Sequence, residues 1–240
     1  MTLVNRFRGH PVKTLRCRGG SVDCRHRHRA AYLSIVLEGE ETEAGEEGRS
    51  RLGPGDVSVH RAFDAHCNYV GRRGILVLNL PWPETVGMPP VGHLSDADAI
   101  VRIAEYDAAK ASAAVVEAMV PKSDRCSDWP DLLGDNLRDP NGLSLYGWAH
   151  EAGLAPESLS RGFKKLYGVS PARYRWEFRA RNAWRQIIET DLQFADISLS
   201  CGFADQSHMS RAIRALTGSS PSNWRKQQLN LFKTPVTSSA

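Results

Sequence analysis

Three histidines in the first third of the chain have residue types and a spacing that could bind a metal. His26 and His28 end the stretch GSVDCRHRH, and His66 lies in a second glycine-rich stretch, GRSRLGPGDVSVHRAFDAHCN. Residues two apart on a strand point to the same face, so His26 and His28 would lie together, and His66 could come from the pairing strand. Imidazoles, with the thiolate of Cys24 or Cys67, suit zinc or copper better than magnesium. A divalent transition metal, zinc or similar, is therefore one candidate ligand.

A second pattern with chemical meaning is a duplication in the last third of the chain. The segments WAHEAGLAPESLSRGFKKLYGVSP and ISLSCGFADQSHMSRAIRALTGSSP align with one inserted residue, so that Gly153 matches Gly202. Each copy predicts a short helix, a tight turn at the glycine, and a second helix with an apolar stripe. We expect Ile197 and Leu199 to pack the first helix of the second copy. The duplication predicts two helix-turn-helix motifs.

Polar and basic side chains occupy the predicted outer face of both second helices. Short polar groups and arginines near a helix start suit base edges, and later basic residues suit phosphates. Residues 140–240 also contain 13 Lys and Arg against 7 Asp and Glu, whereas residues 1–139 contain 18 against 20. We therefore predict contacts with double-stranded DNA from Glu157, Ser158, Ser160, Arg161, Lys164, Lys165, Gln206, Ser207, His208, Ser210, Arg211 and Arg214.

The elements that must position these residues divide the chain into two domains of an α+β protein. Short β-like segments separated by Gly and Pro turns extend over residues 1–90 and predict a sandwich or small barrel. Residues 91–140 predict a helical connector, beginning with one helix over 96–120 capped by Ser95. Residues 141–240 predict helices only. They would hold a first motif at about 144–168, a linker helix at about 171–189 with Ser170 as N-cap, and a second motif at about 194–218.

The helical region resembles the DNA-binding domain of the AraC/XylS family of bacterial transcription regulators. The residues that carry the resemblance are LSRGFKKLYGVSPARYRWEFRAR and CGFADQSHMSRAIRALTGSSPSNWR. The resemblance implies a seven-helix domain that binds an asymmetric promoter site and recruits RNA polymerase. Ser198 departs from the small apolar residue usual in the family, and Met209 and Ile213 replace the usual phenylalanines.

The histidine region resembles the two-part signature of a cupin, a small β-barrel that regulators of this family often carry as an effector sensor. In metal-binding cupins a glutamate shortly after the histidine pair completes the site. Here RAAYLSIVL follows, with no carboxylate before Glu38. This departure favours a metal-free pocket for a small-molecule effector over the metal site.

Composition limits the other possibilities. No apolar stretch approaches the roughly 20 residues that a membrane helix needs, so we expect a cytoplasmic protein with no membrane partner. Five cysteines without CxxC spacing do not indicate a disulfide framework.

The sequence therefore predicts a DNA-binding transcription regulator and not an enzyme, with an effector in the N-terminal barrel. The connector could form a homodimer or cover the barrel. The alternatives are a cupin-type metalloprotein with a helical docking domain and a protein-interaction adaptor.

Overall fold

The chain folds into a sheet-rich N-terminal part and a helical C-terminal part, which confirms the predicted α+β division. The structure, a computed structural model, describes residues 2–3, 13–82, 84, 87–123, 125–139 and 142–233. The terminal segments at 1, 4–12 and 234–240 lie outside this range.

Antiparallel pairing joins the described strands into one sheet. The strands are β1 (Thr2–Leu3), β2 (Lys13–Cys17), β3 (Val22–Arg27), β4 (Tyr32–Gly45), β5 (Gly48–Leu52), β6 (Asp56–His60), β7 (Ala65–Pro81), β8 (Val91–His93) and β9 (Val120–Pro121). The order is β1-β2-β7-β4-β6-β8-β9, with β3 added on β7 and β5 on β4. This path is open over the described residues, so the closed barrel that the sequence predicted is not seen.

Strands β4 and β7 are long enough to contribute to both halves of the sheet. The first half of β4 pairs with β6, and its second half pairs with β5. Strand β7 likewise pairs with β3 at its start and with β2 towards its end. Two register shifts in β4, between Val36 and Glu38 and between Gly39 and Glu41, lie where the strand passes from one half to the other. Gly39 has φ +80°, and a Cβ there would lie 1.9 Å from the Gly74 carbonyl oxygen, so no other residue fits.

The connector contains two short helices where the sequence predicted one. Helix α1 spans Ala97–Ala104 and α2 spans Ala108–Ala118. Asp96, not Ser95, caps α1, and Asp107 interrupts the predicted helix because its carboxylate accepts from the first amides of α2. The apolar faces of both helices pack with Leu33 and Leu80 in the core of the sheet. Covering the sheet, one of the two predicted roles, is therefore what these helices do.

Seven helices follow in the described part of the chain, the number that the resemblance implied. They are α3 (Trp129–Arg138), α4 (Leu145–Glu151), α5 (Pro156–Tyr167), α6 (Pro171–Glu189), α7 (Phe194–Ser200), α8 (Gln206–Thr217) and α9 (Pro221–Lys233). The predicted linker helix is present as α6, and the Ser170 hydroxyl accepts from the Arg173 amide at its start. Helix α3, predicted as connector, packs through Leu133 and Leu137 on α4, α5 and α6.

Candidate DNA interface and ligand cavity

Helices α4 and α5 form the first helix pair. Gly153 has φ +64° in the turn between them, the left-handed conformation that the sequence pattern predicted. Leu159, Phe163 and Tyr167 of α5 are fully buried at spacings of four residues, so one face of the helix is committed to the core. The opposite face is left for solvent or a partner.

Helices α7 and α8 form the second helix pair, with Gly202 in the turn at φ +73°. The Asp205 carboxylate accepts from the His208 amide and caps α8. Met209 and Ile213 are fully buried, so they fill the core in place of the phenylalanines. The prediction for Leu199 was wrong, because this residue is 68% exposed. The buried residue is Ser198, whose hydroxyl bonds the Ala195 carbonyl oxygen and is thereby satisfied.

The predicted DNA contacts lie on the outer faces of α5 and α8. Ser160 and Ser210 are half-buried, and the remaining ten residues are exposed: Glu157, Ser158, Arg161, Lys164, Lys165, Gln206, Ser207, His208, Arg211 and Arg214. Arg161 and Arg211 occupy equivalent positions, each two residues after the first buried residue of its helix. Their contacts with bases or phosphates stay a prediction.

A cavity of about 240 Å³ lies within the sheet-rich part. Its lining has an apolar side, formed by residues including Leu15, Val70, Ile75 and Val77, and a polar side. The polar side has four histidines, three carboxyl groups, Tyr32, Asn68 and Asn79. Among the described lining residues there is no lysine or arginine. The cavity can therefore hold a small ligand between an aliphatic wall and a cluster of hydrogen-bond acceptors.

The structure brings the three predicted histidines together. The ring centroids of His26 and His28 lie 4.9 Å apart, and those of His26 and His66 lie 4.4 Å apart. One nitrogen from each ring can lie within 4.8 Å of the other two. The thiols do not join them: Cys24 is exposed, and the Cys67 sulfur lies 3.8 Å from the Leu166 carbonyl oxygen of α5.

Sequence reasoning missed two residues of the cluster, His60 and Glu43. The two side chains and His66 form a second group with ligand atoms within 4.8 Å of one another. Alternation along β6 was a usable signal for His60, because Ser58 and His60 share a face. Glu43 gave no such signal. The even-numbered Tyr32 and Ser34 line the cavity from the start of β4, but beyond the two register shifts the odd-numbered Glu41 and Glu43 do so.

Burial dominates the electrostatics of the polar side. It lowers the pKa of His60 to about 3, and the nearby His28 and His26 act in the same direction. The pKa of His66 is likewise held well below its usual value by burial and then by His60. Burial raises the pKa of Glu43 to about 8, and the neighbouring Glu41 adds to the shift. The protein environment therefore disfavours the protonated form of His60 and of His66.

The opposite face of the same strands contacts the helical part. Arg25 and Arg27, which alternate with the histidines on β3, each donate to the Glu177 carboxylate of α6 at 3.0 Å. On β4, Ala44 follows Glu43, and on β7, Cys67 follows His66. Ala44 and Cys67 pack in one apolar cluster with residues of α3, α4, α5 and α6. One layer of β3, β7 and β4, hereafter the shared layer, therefore separates the cavity from the first helix pair.

Part of the positive charge of the helical part is neutralised within the protein. Arg181 of α6 is 3% exposed and pairs with Glu46 at 2.5 Å and with Asp64. Arg185 pairs with Glu84, and Arg173 pairs with Glu177. The excess of basic residues was interpreted as a DNA-binding signal, but these three arginines bind carboxylates within the protein.

Comparisons with known proteins agree with the helical architecture. Residues 148–227 match the family described as a helix-turn-helix domain. The chain is 32% identical to the transcriptional activator NphR of Rhodococcus sp. over 100 residues, which are 42% of this chain and 29% of NphR. It is 30% identical over 113 residues to the arabinose operon regulatory protein of Escherichia coli K12, covering 47% of this chain and 38% of that protein.

Residues 148–227 form a helix-turn-helix domain of the AraC/XylS type. A solved transcriptional regulator from Chromobacterium violaceum with an AraC-type DNA-binding domain is 28% identical and has a TM-score of 0.35. That match covers 39% of this chain and 83% of the solved one. The chain spans less than two fifths of the length of the two curated relatives. None of the described helices has the length and apolar character needed to cross a bilayer.

Proposed function

We propose that this protein is a transcription regulator that binds promoter DNA through two helix-turn-helix motifs, the first and second helix pairs. The observation that carries the proposal is the exposure of Arg161 and Arg211 at equivalent positions of two similar helices. Helix α6 joins the pairs and is 19 residues long, or about 28 Å at 1.5 Å per residue. This length is close to the ~34 Å between successive major grooves on one side of DNA.

The proposal includes the other partners that the AraC/XylS resemblance implies. RNA polymerase would be recruited at the promoter, a small effector would bind in the cavity, and a second copy could form a homodimer. The sheet-rich part would be a cupin-like sensor whose pairing path is open over the described residues. We propose a regulator and not an enzyme, since NphR and the arabinose operon regulatory protein carry the names of transcription regulators.

Binding of promoter DNA at a series of salt concentrations tests this function. The full chain should retard fragments from its own locus in a gel, and the affinity should fall by about a thousandfold between ~50 and ~200 mM salt if about six phosphates are contacted. Random DNA of equal length is the control and should bind more weakly. Absence of any retardation at low salt would contradict the proposal and favour the adaptor or the metalloprotein.

The shared layer suggests how an effector would act. His26 and His28 face the cavity, and Arg25 and Arg27, which alternate with them, bind Glu177 of α6. A shift of β3 around a ligand would therefore also move this contact with α6. We propose that the effector biases the packing of the first helix pair in this way.

Coupling of this kind is reciprocal, so DNA must affect the layer as well. Promoter DNA should change amide hydrogen exchange of residues 22–28 and 43–46 in the full chain, measured by mass spectrometry. A variant with both Arg161→Ala and Arg211→Ala is the control. Protection of α5 and α8 with unchanged exchange in these strands would show DNA binding without the coupling.

A divalent transition metal, zinc or similar, is the second candidate ligand of the cavity. The observation that favours it is the approach of His26, His28 and His66 to within 4.8 Å through their ring nitrogens. Imidazole nitrogen is a common ligand of such ions.

A further inference from the structure

The inner end of the cavity contains a carboxylate in an environment that disfavours an uncompensated negative charge. Glu43 lies on β4 with its side chain 14% exposed. One carboxylate oxygen accepts from the Asn68 amide at 3.2 Å and lies 3.4 Å from Nε2 of His60. Removing a carboxylate from water is costly unless a cation or several donors replace the lost hydration. The Asn68 amide and the Ser58 hydroxyl form hydrogen bonds with Glu43, but neither carries a positive charge, so a cation would complete the environment of Glu43.

The two histidines beside Glu43 are the most buried of the cluster. His60 and His66 are each 4% exposed, and their ring centroids lie 4.3 Å apart. The Ser58 hydroxyl lies 2.9 Å from Nε2 of His60. Nδ1 of His66 is buried without a hydrogen-bond partner, although buried polar atoms are normally paired. A buried ring nitrogen without a partner in the protein is expected where a bound ligand supplies that partner.

The charge of the lining selects the class of ligand. Asp23, Glu41 and Glu43 contribute carboxyl groups, and the described lining residues include no lysine or arginine. An anionic ligand would therefore meet acceptors and no compensating cation. A cation would meet imidazoles and carboxyl groups that become carboxylates when the cation displaces their protons, and these groups are ligands of zinc and similar ions.

We propose that the cavity binds a divalent transition metal ion through Glu43, His60 and His66, which we call the inner set. The ligand atoms of this set all lie within 4.8 Å of one another, and one pair already has the spacing of a bound metal, because tetrahedral bonds of about 2.0–2.1 Å place neighbouring ligand atoms roughly 3.4 Å apart. The observed separation of the Glu43 oxygen and His60 Nε2 is 3.4 Å. Glu43 takes the place of the carboxylate that was missing after the histidine pair, and a fourth position stays open for water or an organic effector.

Zinc binding by the full chain tests the inner set. The protein is stripped of metal with a chelator, titrated with zinc against a competing indicator, and assayed for bound zinc by mass spectrometry. We expect one zinc per chain and a rise in the temperature of unfolding, because a ligand that binds the folded state stabilises it. Glu43→Gln and His60→Gln should each weaken zinc binding on the order of a hundredfold or more.

Two further variants separate the inner set from other residues. Glu38→Gln is the control, because it removes an exposed carboxylate of the same strand that does not line the cavity, and it should bind zinc within about threefold of the unchanged protein. His28→Gln removes a ligand only from the set of His26, His28 and His66, so retained zinc binding in this variant supports the inner set. Circular dichroism of the metal-free variants checks that each is folded, and His60→Asn replaces His60→Gln if the latter is not.

Three results would overturn the proposal. They are no zinc binding by the unchanged protein, loss in His28→Gln with retention in Glu43→Gln and His60→Gln, and an equal loss in all four variants. The second result would assign the metal to His26, His28 and His66 instead. The titration measures metal directly, so its outcome is independent of whether the protein binds DNA.

Discussion

The two helix pairs have similar sequences, and the second helix of each pair ends at a glycine with positive φ. Different parts of the protein form hydrogen bonds with these two helix ends. Helix α5 ends at Gly168 with φ +73°, and α8 ends at Gly218 with φ +81°. The last carbonyl groups of α5 accept from the sheet-rich part: Tyr69 donates to Lys165 at 2.6 Å, and Arg25 donates to Tyr167 at 3.3 Å. At the end of α8, the Thr217 hydroxyl donates to the Ile213 carbonyl oxygen at 2.9 Å and accepts from Trp224 of α9 at 2.8 Å.

This difference shows that a duplicated motif can serve two purposes. The carbonyl groups of the last helical turn have no partner within the helix, so something else must satisfy them. In the first pair the partner is the shared layer, which also borders the cavity. In the second pair the partners named above belong to the helical part. The buried Phe63 and the half-buried Ala62 connect the sheet-rich part to the aromatic core beside the second pair. The first pair is thus the more direct recipient of a signal from the cavity.

The largest effect is expected from removing Arg181, a buried arginine through which α6 contacts the sheet-rich part. Arg181→Ala leaves Glu46 and Asp64 without their buried cation and should lower the free energy of unfolding by about 3–5 kcal/mol. Urea denaturation followed by circular dichroism measures it. Arg179→Ala on the same helix loses a hydrogen bond to the Gly202 carbonyl oxygen and should cost about 1 kcal/mol. Equal losses would show that the buried ion pairs are not the principal contact.

A smaller effect is expected from the outer faces, where the pairs should behave alike. Arg161→Ala and Arg211→Ala should each weaken binding to the cognate promoter by about 1–3 kcal/mol if they contact bases, measured by fluorescence anisotropy. Lys164→Ala is the control for a phosphate contact and should weaken binding to cognate and random DNA alike. If either arginine variant lost affinity equally on both DNAs, that arginine would be a phosphate contact.

The smallest effect is expected from removing one hydrogen bond that only the first helix pair forms with the sheet-rich part. Tyr69→Phe removes the donor to the Lys165 carbonyl oxygen and should destabilise the full chain by about 0.5–1.5 kcal/mol. Hydrogen exchange should rise at the end of α5 and stay unchanged at the end of α8. Faster exchange at both ends would contradict separate docking of the two pairs.

The helical part was largely predictable because its boundaries depend on local chemistry. Ser170, Pro171 and the glycines at 153, 168, 202 and 218 act through their own backbone conformations and the nearest turn. The apolar stripes follow from the helical period alone. The exposed Leu199 was missed, because a short helix of seven residues gives too few positions to fix its buried face.

In the sheet-rich part, the sequence by itself determined the strand-rich character and the grouping of His26 and His28, since alternation along a strand is local. Alternation along β6 was a local signal for His60 as well, but only the tertiary structure decided that Glu43 joins them. A register shift reverses the faces of every later residue, and such shifts in β3 and β4 depend on how the strands pair. The partners of Arg181 and Glu177 were likewise decided by packing, because a charge on a helix has the same sequence pattern whether it meets DNA, water or a buried carboxylate.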